Sequence, residues 1–312
     1  MSAATETGAA PAAAPKKRKH LTERAKSERR LGWLLCAPAV IVMLAVTAYP
    51  LIDAFALSLQ RADLRFPAAN KFIGFDNYGT VLSSSLWWDD VFHTLIITVV
   101  TVGIELVIGM GLALVMHRAI FGRGAVRTSI LIPYGIVTVV AAFSWRYAWS
   151  LDSGWIPGLL GLSTDPLSDT FGSYAAIIIT EVWKTTPFIA LLLLAGLALV
   201  PDELLEAAKV DGASAIQRFF RITLPLMKPA ILVAVLFRTL DAFRIFDSVF
   251  ILTAGQNNTE TVSILDYNQL LNRLNLGLGS AISVLIFIMV TLIAFVFIKL
   301  LGTNLAAQRG EN

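Results

Sequence analysis

Six stretches of this sequence are apolar over the length of about 20 residues that a helix needs to cross the hydrocarbon core of a bilayer. The chain is 56% hydrophobic and 15% charged, whereas a soluble domain carries about a quarter charged residues. Most of the six stretches also lack the polar face that a helix on a soluble core keeps. The sequence therefore predicts an all-α polytopic membrane protein. Its expected transmembrane helices cover residues 31–59, 91–116, 128–149, 173–200, 229–253 and 279–301.

Lysine and arginine are concentrated in alternate loops between these stretches. They are frequent before the first stretch, in residues 117–127 and in residues 201–228, and they are sparse in the other loops. Loops rich in these residues stay on the cytoplasmic side, so both loops and both termini are predicted to be cytoplasmic. We expect a basic, disordered tail over residues 1–30, a six-helix domain over 31–301 and a second cytoplasmic tail over 302–312.

The basic N-terminal tail has two interpretations. It is a topology signal that keeps the N-terminus inside, or it also contacts the anionic headgroups of membrane lipid. A nucleic-acid partner is not expected. The chain as a whole is predicted to be a multi-pass protein of a bacterial inner membrane.

The polar segment between the fourth and fifth apolar stretches is predicted to form two short helices. Asp202 is a plausible N-cap for a helix over residues 203–210, and Gly212 allows the sharp turn that follows it. Ser214 and Gln217 have the spacing of a capping box for a second helix. Pro225 is expected to end that second helix before the next span. Both helices are too short and too polar to cross the membrane.

The same segment carries the pattern E-A-A-x3-G-x9-I-x-L-P. Alanines give a helix little bulk, so it can enter a groove on another protein, and the glutamate can pair with a basic residue of that protein. The glycine permits a positive φ at the turn. The pattern predicts contact with a partner through Glu206, Ala207, Ala208, Asp211, Gly212, Ile222, Leu224 and Pro225.

The sequence contains no pattern for nucleotide hydrolysis or metal binding. It has no Gly-Lys dipeptide and hence no P-loop, and its three histidines are far apart. No catalytic residue, metal ligand or cofactor is therefore predicted for this chain. If it moves a solute against a gradient, the energy must come from another protein.

The fifth apolar stretch contains charges of alternating sign at every third residue. Arg238, Asp241, Arg244 and Asp247 would follow one face of a continuous helix, and four charges facing lipid would be very costly. One interpretation is a salt-bridge ladder that fixes helix packing. The other is a polar track for a hydroxyl-rich solute, lined by the aromatic residues Phe243 and Phe246. The two interpretations are compatible.

Further candidates for a solute pathway lie in the fourth apolar stretch and in the loop after the fifth. Glu181 and Lys184 are three residues apart and can pair on one helix face. Glu105, in the second stretch, needs a buried partner and is either a packing residue or a transport residue. The remaining candidates are Trp183, Asn257 and Asn258.

Taken together, these motifs resemble the carbohydrate-uptake family of ABC importer permeases, which includes the maltose permease. The resemblance covers about 31–301 and rests on residues 72–78, on residues 237–247 and on the loop 201–228, which we call the coupling loop. Residues 130–140 and 181–188 are similar to the permeases of trehalose importers. The family implies the type I importer fold, here without a large outer domain.

The resemblance also implies the partners and the energy source. Two permease subunits, two ATP-binding subunits and an extracytoplasmic sugar-binding lipoprotein would form the complex. ATP and Mg would bind to the ATP-binding subunits, and this chain would hold no cofactor.

Three alternatives remain open at the level of sequence. The resemblance implies a permease for a disaccharide such as trehalose, but the solute could be another sugar or glycerol phosphate. An ion-coupled or proton-coupled secondary transporter would use Glu105 and the charges of residues 238–247. It would leave the coupling loop unexplained, and the inverted repeat that it predicts is not apparent. A membrane enzyme would require catalytic spacing in a loop, and none is apparent.

Overall fold

The computed structural model of the chain describes residues 23–118 and 122–308. Of the predicted tails, residues 1–22 and 309–312 lie outside the described residues. Residues 23–30 and 302–308 are helical, because the first helix begins at Glu23 and the last one ends at Gln308. The described chain is mainly helical, and Pro38 and Pro50 lie inside its first helix. The helices are α1 Glu23–Ser58, α2 Asp76–Leu82, α3 Ser85–Arg118, α4 Arg123–Gly135, α5 Thr138–Trp149, α6 Ile156–Leu160, α7 Thr170–Leu197, α8 Asp202–Val210, α9 Ala215–Arg218, α10 Leu224–Leu226, α11 Lys228–Ala242, α12 Asp247–Leu252, α13 Val262–Tyr267 and α14 Leu276–Gln308.

Short irregular segments complete the secondary structure. Residues Pro67–Ala69 and Pro166–Ser168 form 3-10 turns, and Phe219–Thr223 and Asn268–Asn272 are π-helical. Two strands, β1 (Gln60–Arg61) and β2 (Lys71–Phe72), pair antiparallel, with Gln60 opposite Phe72 and Arg61 opposite Lys71.

Four helices in the described chain are long and apolar enough to cross a membrane. They are Arg30–Ser58, Ser85–Arg118, Thr170–Leu197 and Leu276–Leu300. Two further pairs pass the same test but are bent, by 87° between α4 and α5 and by 68° at the start of α11. Counting each bent pair as one span gives six, the predicted number. The second pair, however, covers residues 215–242 and overlaps the predicted stretch 229–253 only in part.

The chain divides into two compact units, one up to Asp53 and one from Ala54 onward. The described part of the first unit is one helix whose apolar side chains, Trp33 and Leu35 among them, are exposed. The second unit contains the remaining helices, and α3 packed on α7 is its main helix pair.

Glycines allow the central helices of the second unit to approach closely. A Cβ at Gly109 on α3 would lie 2.9 Å from Cγ2 of Ile189 on α7. A Cβ at Gly196 on α7 would lie 2.5 Å from Cβ of Ala230 on α11. Small residues at helix contacts are typical of membrane bundles, so α3, α7 and α11 form the frame on which the polar site is built.

Candidate functional site

A polar cavity of about 570 Å³ lies where two interrupted spans face α7. One interruption separates α4 from α5, and the other separates α11 from α12. Unwound backbone inside a membrane is tolerated where it lines a cavity, so the two breaks and the cavity belong together. The lining residues are Tyr134, Ile136, Val137, Thr138, Glu181, Lys184, Thr185, Arg238, Asp241, Arg244, Ile245, Phe246, Asp247 and Ser248.

Arg238 is the centre of the charged groups at this cavity, although its side chain is only 1% exposed. Its Nε donates to Glu105 Oε2 at 2.7 Å, and its Nη2 donates to Glu105 Oε1 at 3.0 Å. Nη2 also donates to Glu181 Oε2 at 2.9 Å, and Nη1 donates to Asp241 Oδ2 at 2.7 Å. One guanidinium therefore holds carboxylates from α3, α7 and α11 together.

The two buried carboxylates have further partners besides the arginine. The hydroxyl of Thr185 donates to Glu105 Oε1, and the hydroxyl of Ser248 donates to Glu181 Oε1. Buried ions are tolerated when their remaining hydrogen-bonding capacity is used. We call Arg238, Glu105, Glu181, Thr185 and Ser248 the Arg238 network.

The continuous ladder predicted for the fifth stretch is wrong beyond its first step. Arg238 and Asp241 form an ion pair as expected, but α11 ends at Ala242 and the helix does not resume until Asp247. In the described residues, Arg244 and Asp247 form no ion pair. Both instead line the cavity.

The expected pair of Glu181 with Lys184 is also absent from the structure. Glu181 pairs with Arg238, whereas Lys184 Nζ donates to the backbone oxygen of Ile136 at 3.1 Å. That carbonyl lies in the break between α4 and α5. The ammonium also sits 5.7 Å from the centre of the Tyr134 ring, within the range of a cation–π contact.

Of the two phenylalanines expected to line a solute track, one lines the cavity and the other does not. Phe243 is fully buried in an apolar cluster with Trp87 and Ile282, so it does not line the cavity. Phe246 lines it instead and stacks on Phe250 with ring centres 5.2 Å apart. The break after Ala242 changes which face the aromatic residues present, and no local pattern predicts it.

The remaining candidates lie outside this cavity. Trp183 packs edge-on against Trp145, with ring centres 5.7 Å apart, in a neighbouring apolar depression. Asn257 Nδ2 donates to the Leu167 backbone oxygen at 2.7 Å, and Tyr174 donates its hydroxyl to the Asn258 backbone oxygen at 2.9 Å. These two asparagines fasten the loop after α12 to the start of α7.

Sequence reasoning missed several residues that the cavity brings together. Thr185, Ser248, Tyr134 and Thr138 carry no charge and have no distinctive spacing, so nothing in the sequence separates them from packing residues. The sequence did single out Glu105, since a carboxylate inside a membrane needs a partner. The sequence could not show that this partner is Arg238, which lies 133 positions further along the chain.

The coupling loop has the predicted turn and capping box. Gly212 adopts φ +81°, and its N–H donates to the Lys209 oxygen at 3.1 Å. The N–H of Ser214 donates to Gln217 Oε1 at 2.8 Å, and the N–H of Gln217 donates to Ser214 Oγ at 3.3 Å. Two short helices at a glycine turn are therefore confirmed.

Two details of the coupling loop differ from the prediction. Pro201 is the N-cap of α8, and Asp202 is the first helical residue without a capping hydrogen bond of its own. Pro225 does not end the second helix, because the chain continues through the π-helical turn Phe219–Thr223 into α10. Proline has no N–H to donate to the preceding turn, and the wider π turn accommodates that loss.

No residue of α8 is buried, and five of the eight pattern residues are exposed, whereas Ala208, Ile222 and Leu224 are half-buried. Glu206 and Ala207 are exposed, as are Asp211 and Gly212. In the described chain the Glu206 carboxylate has no hydrogen bond or ion pair. An exposed helix of this kind is suited to contact with another protein.

Comparison with known proteins agrees with this architecture. Residues 78–306 match the family described as the inner membrane component of binding-protein-dependent transport systems. The chain is 58% identical over 285 residues to the trehalose transport system permease protein SugA of Mycobacterium tuberculosis, covering 91% of this chain and 92% of that protein. It is 39% identical over 287 residues to the trehalose/maltose transport system permease protein MalF of Thermococcus litoralis, covering 90% and 97%.

A solved structure shares the fold at low sequence identity. It is a chain of a bacterial ABC transporter that imports the acidic polysaccharide alginate, with a TM-score of 0.76, 22% identity and coverage of 90% of this chain and 99% of that chain. A second solved structure is a chain of a bacterial alginate ABC transporter in complex with a periplasmic protein that carries an alginate pentasaccharide. It has a TM-score of 0.74 and 22% identity, covering 93% of this chain and 99% of that chain. The protein therefore belongs to the family of inner membrane components of binding-protein-dependent transport systems and has the multi-pass fold of type I ABC importer permeases.

Proposed function

We propose that this chain forms one half of the translocation pathway of an ABC importer for trehalose. The observation that carries the proposal is the polar cavity at the two interrupted spans. The relatives named as trehalose and trehalose/maltose permeases support this solute, since they match about nine-tenths of the chain.

The cavity suits a neutral, hydroxyl-rich solute. Its volume of about 570 Å³ falls within the range of about 300–1,000 Å³ that is typical of small-molecule sites. Asp241 is exposed to it and keeps one oxygen free of Arg238, and Lys184 has N–H groups beyond the one used by Ile136. Tyr134 and Phe246 add apolar ring surface, which complements the apolar face of a sugar ring.

The coupling loop would transmit the work of ATP hydrolysis. We infer that α8 and α9 dock on an ATP-binding subunit through the eight pattern residues, with Glu206 facing a basic group of that subunit. ATP and Mg would bind there, and this chain would hold no nucleotide or cofactor. Closure of the ATP-binding subunits would then move the coupling loop and open the cavity outward.

The complete importer would contain a second permease subunit, two ATP-binding subunits and a sugar-binding lipoprotein outside the membrane. The alginate importer, solved with its periplasmic protein, supports a partner of this last kind. Both termini and the coupling loop would be cytoplasmic, in line with the distribution of lysine and arginine.

The test is to purify the complex from its own membranes and identify the co-purifying chains by mass spectrometry. ATP hydrolysis is then measured with the binding protein and trehalose, maltose or sn-glycerol 3-phosphate. We expect trehalose to stimulate hydrolysis most. Stimulation by sn-glycerol 3-phosphate alone would overturn the solute, and uptake that continues without an ATP-binding subunit would overturn the importer class.

A further inference from the structure

A second cavity lies on the side of the coupling loop that faces the membrane bundle. Its volume is about 250 Å³, and we call it the coupling hollow. It is enclosed by the ends of α3 and α7, by α8, and by the turn from α9 into the π-helical segment. Its lining residues are Leu114, His117, Arg118, Leu197, Val200, Asp202, Leu205, Glu206, Lys209, Ala215, Arg218, Phe219 and Thr223.

Basic side chains reach the hollow from three different helices. His117 and Arg118 are the last residues of α3, Lys209 is near the end of α8, and Arg218 is the last residue of α9. Arg218 uses one N–H, since its Nη1 donates to the Ala213 oxygen at 2.8 Å. In the described chain, none of these four basic residues forms an ion pair.

Two carboxylates also line the hollow, but they do not neutralise all of its positive charge. Asp202 and Glu206 lie on the first two turns of α8. Three permanent cations, Arg118, Lys209 and Arg218, outnumber them even when His117 is neutral. Unpaired cations around a concave surface attract an anion, and a planar guanidinium binds a phosphate with two parallel hydrogen bonds.

The rest of the hollow is apolar and lies at the level where two spans leave the membrane. Arg118 ends α3 and Leu197 ends α7. The wall between the charges is formed by aliphatic side chains and a phenylalanine, among them Leu114, Leu205 and Phe219. An apolar wall with a cationic rim at this depth fits the glycerol and phosphate region of a phospholipid.

We propose that the coupling hollow binds the phosphate group of an anionic phospholipid of the inner leaflet. The bound lipid bridges the end of α3 to α8 and α9, and so fixes the coupling loop against the bundle while it faces the ATP-binding subunit. This inference rests on the cytoplasmic orientation in the proposed function. It adds a lipid requirement for coupling.

The test uses the whole complex in nanodiscs of phosphatidylcholine alone or with phosphatidylglycerol. Retained phosphatidylglycerol is counted by native mass spectrometry, and trehalose-stimulated ATP hydrolysis is measured on the same samples. For the wild type we expect phosphatidylglycerol to be retained and to increase the stimulation. Arg118→Gln should reduce the retained lipid about fivefold, as expected for the loss of one basic residue at a charged lipid surface, while Arg118→Lys should restore most of it.

The matched control is Arg221→Gln. It removes an exposed arginine of the coupling loop that does not line the hollow. It should leave the retained lipid unchanged. Equal loss in both variants, or no loss in Arg118→Gln, would overturn the site. Restoration of the stimulation by inorganic phosphate in phosphatidylcholine nanodiscs would overturn the lipid as its occupant. If trehalose stimulates no hydrolysis while lipid retention depends on Arg118, the proposed solute fails and the lipid site stands.

Discussion

The Arg238 network and the coupling loop both rely on charged side chains, but they satisfy them differently. Arg238 is 1% exposed, and its partners Glu181 and Glu105 lie 57 and 133 positions away in sequence. On α8 no residue is buried, and the Glu206 carboxylate has no partner in the described chain. The network is complete within one chain, whereas the exposed Glu206 carboxylate, which lines the coupling hollow, has no partner in the described residues.

The difference follows from the cost of burying an ion. A charge inside a membrane bundle must be neutralised where it lies, and removal of one partner leaves the other uncompensated. An exposed charge remains hydrated and costs little until a partner displaces the water. The network can therefore hold helices together within one chain, and the loop can remain hydrated until the proposed ATP-binding subunit binds it.

The largest effect is expected when the network loses its only arginine. Arg238→Met leaves Glu105 and Glu181 buried without a cation, which costs on the order of 3–5 kcal/mol. We expect loss of the folded complex, measured by size-exclusion chromatography of a fluorescent fusion. Arg244→Met is the control, because Arg244 is exposed and has no ion pair in the described chain. Equal elution profiles for both variants would show that the network does not hold the bundle.

Asp266 on α13 is intermediate between the buried network and the exposed Glu206. Its carboxylate is partly buried and has only a hydroxyl as partner. Ser283 donates to its Oδ2 at 2.7 Å, and Oδ1 has no partner in the described residues. Burial raises the pKa of Asp266 to about 6, and the bond from Ser283 opposes this in part. An acid whose pKa is raised by folding stabilises the fold when protonated, so this contribution is lost as pH rises from about 4 to about 6.

Asp266→Asn should therefore stabilise the complex at pH 8, by up to about 3 kcal/mol, and change little at pH 4. The measurement is the thermal midpoint of the variant against the wild type at both values. Asp63→Asn is the control of opposite sign, since the Arg65 guanidinium lowers the pKa of the Asp63 carboxyl. If the thermal midpoint of Asp266→Asn rises equally at pH 8 and at pH 4, ionisation of Asp266 is not the cause.

In the coupling loop a backbone change should impair coupling and leave the fold intact. Gly212 has φ +81°, and a side chain in the left-handed region costs about 1–2 kcal/mol. Gly212→Ala should lower the number of sugars taken up per ATP hydrolysed, measured in proteoliposomes, with normal assembly. Gly111→Ala is the matched control, because a Cβ at Gly111 meets no atom within 4 Å. Loss of assembly in Gly212→Ala would mean that the turn is needed for folding.

The two regions also differ in how much of them the sequence predicts. In the coupling loop the determinants are local: Ser214 and Gln217 are three residues apart, and Gly212 adjoins the end of α8. In the network the determinants are distant, so the sequence indicated that Glu105 needs a buried partner but not which one. The neighbouring pair of Arg238 with Asp241 was predicted correctly because both residues lie on one helix. The interruption after Ala242 was missed because residues 243–246 contain no glycine or proline, which usually mark a helix break. The break is explained by the cavity that it lines.

The smallest expected effect tests the most local contact of the loop. Ser214→Ala removes the hydroxyl that caps α9 and should cost about 1 kcal/mol, because the Gln217 N–H then loses its acceptor in the loop. The loss should appear as faster hydrogen exchange over residues 214–218, with no change in exchange around Arg238, since the network shares no hydrogen bond with α9.

Ser214→Thr keeps the hydroxyl and should restore protection. Ser83→Ala is a control, as its hydroxyl donates only to the Thr80 oxygen on an exposed turn. Faster exchange in the network as well would show that the two regions are coupled through the frame of helices, and the division between a self-sufficient core and a partner-dependent loop would then be wrong.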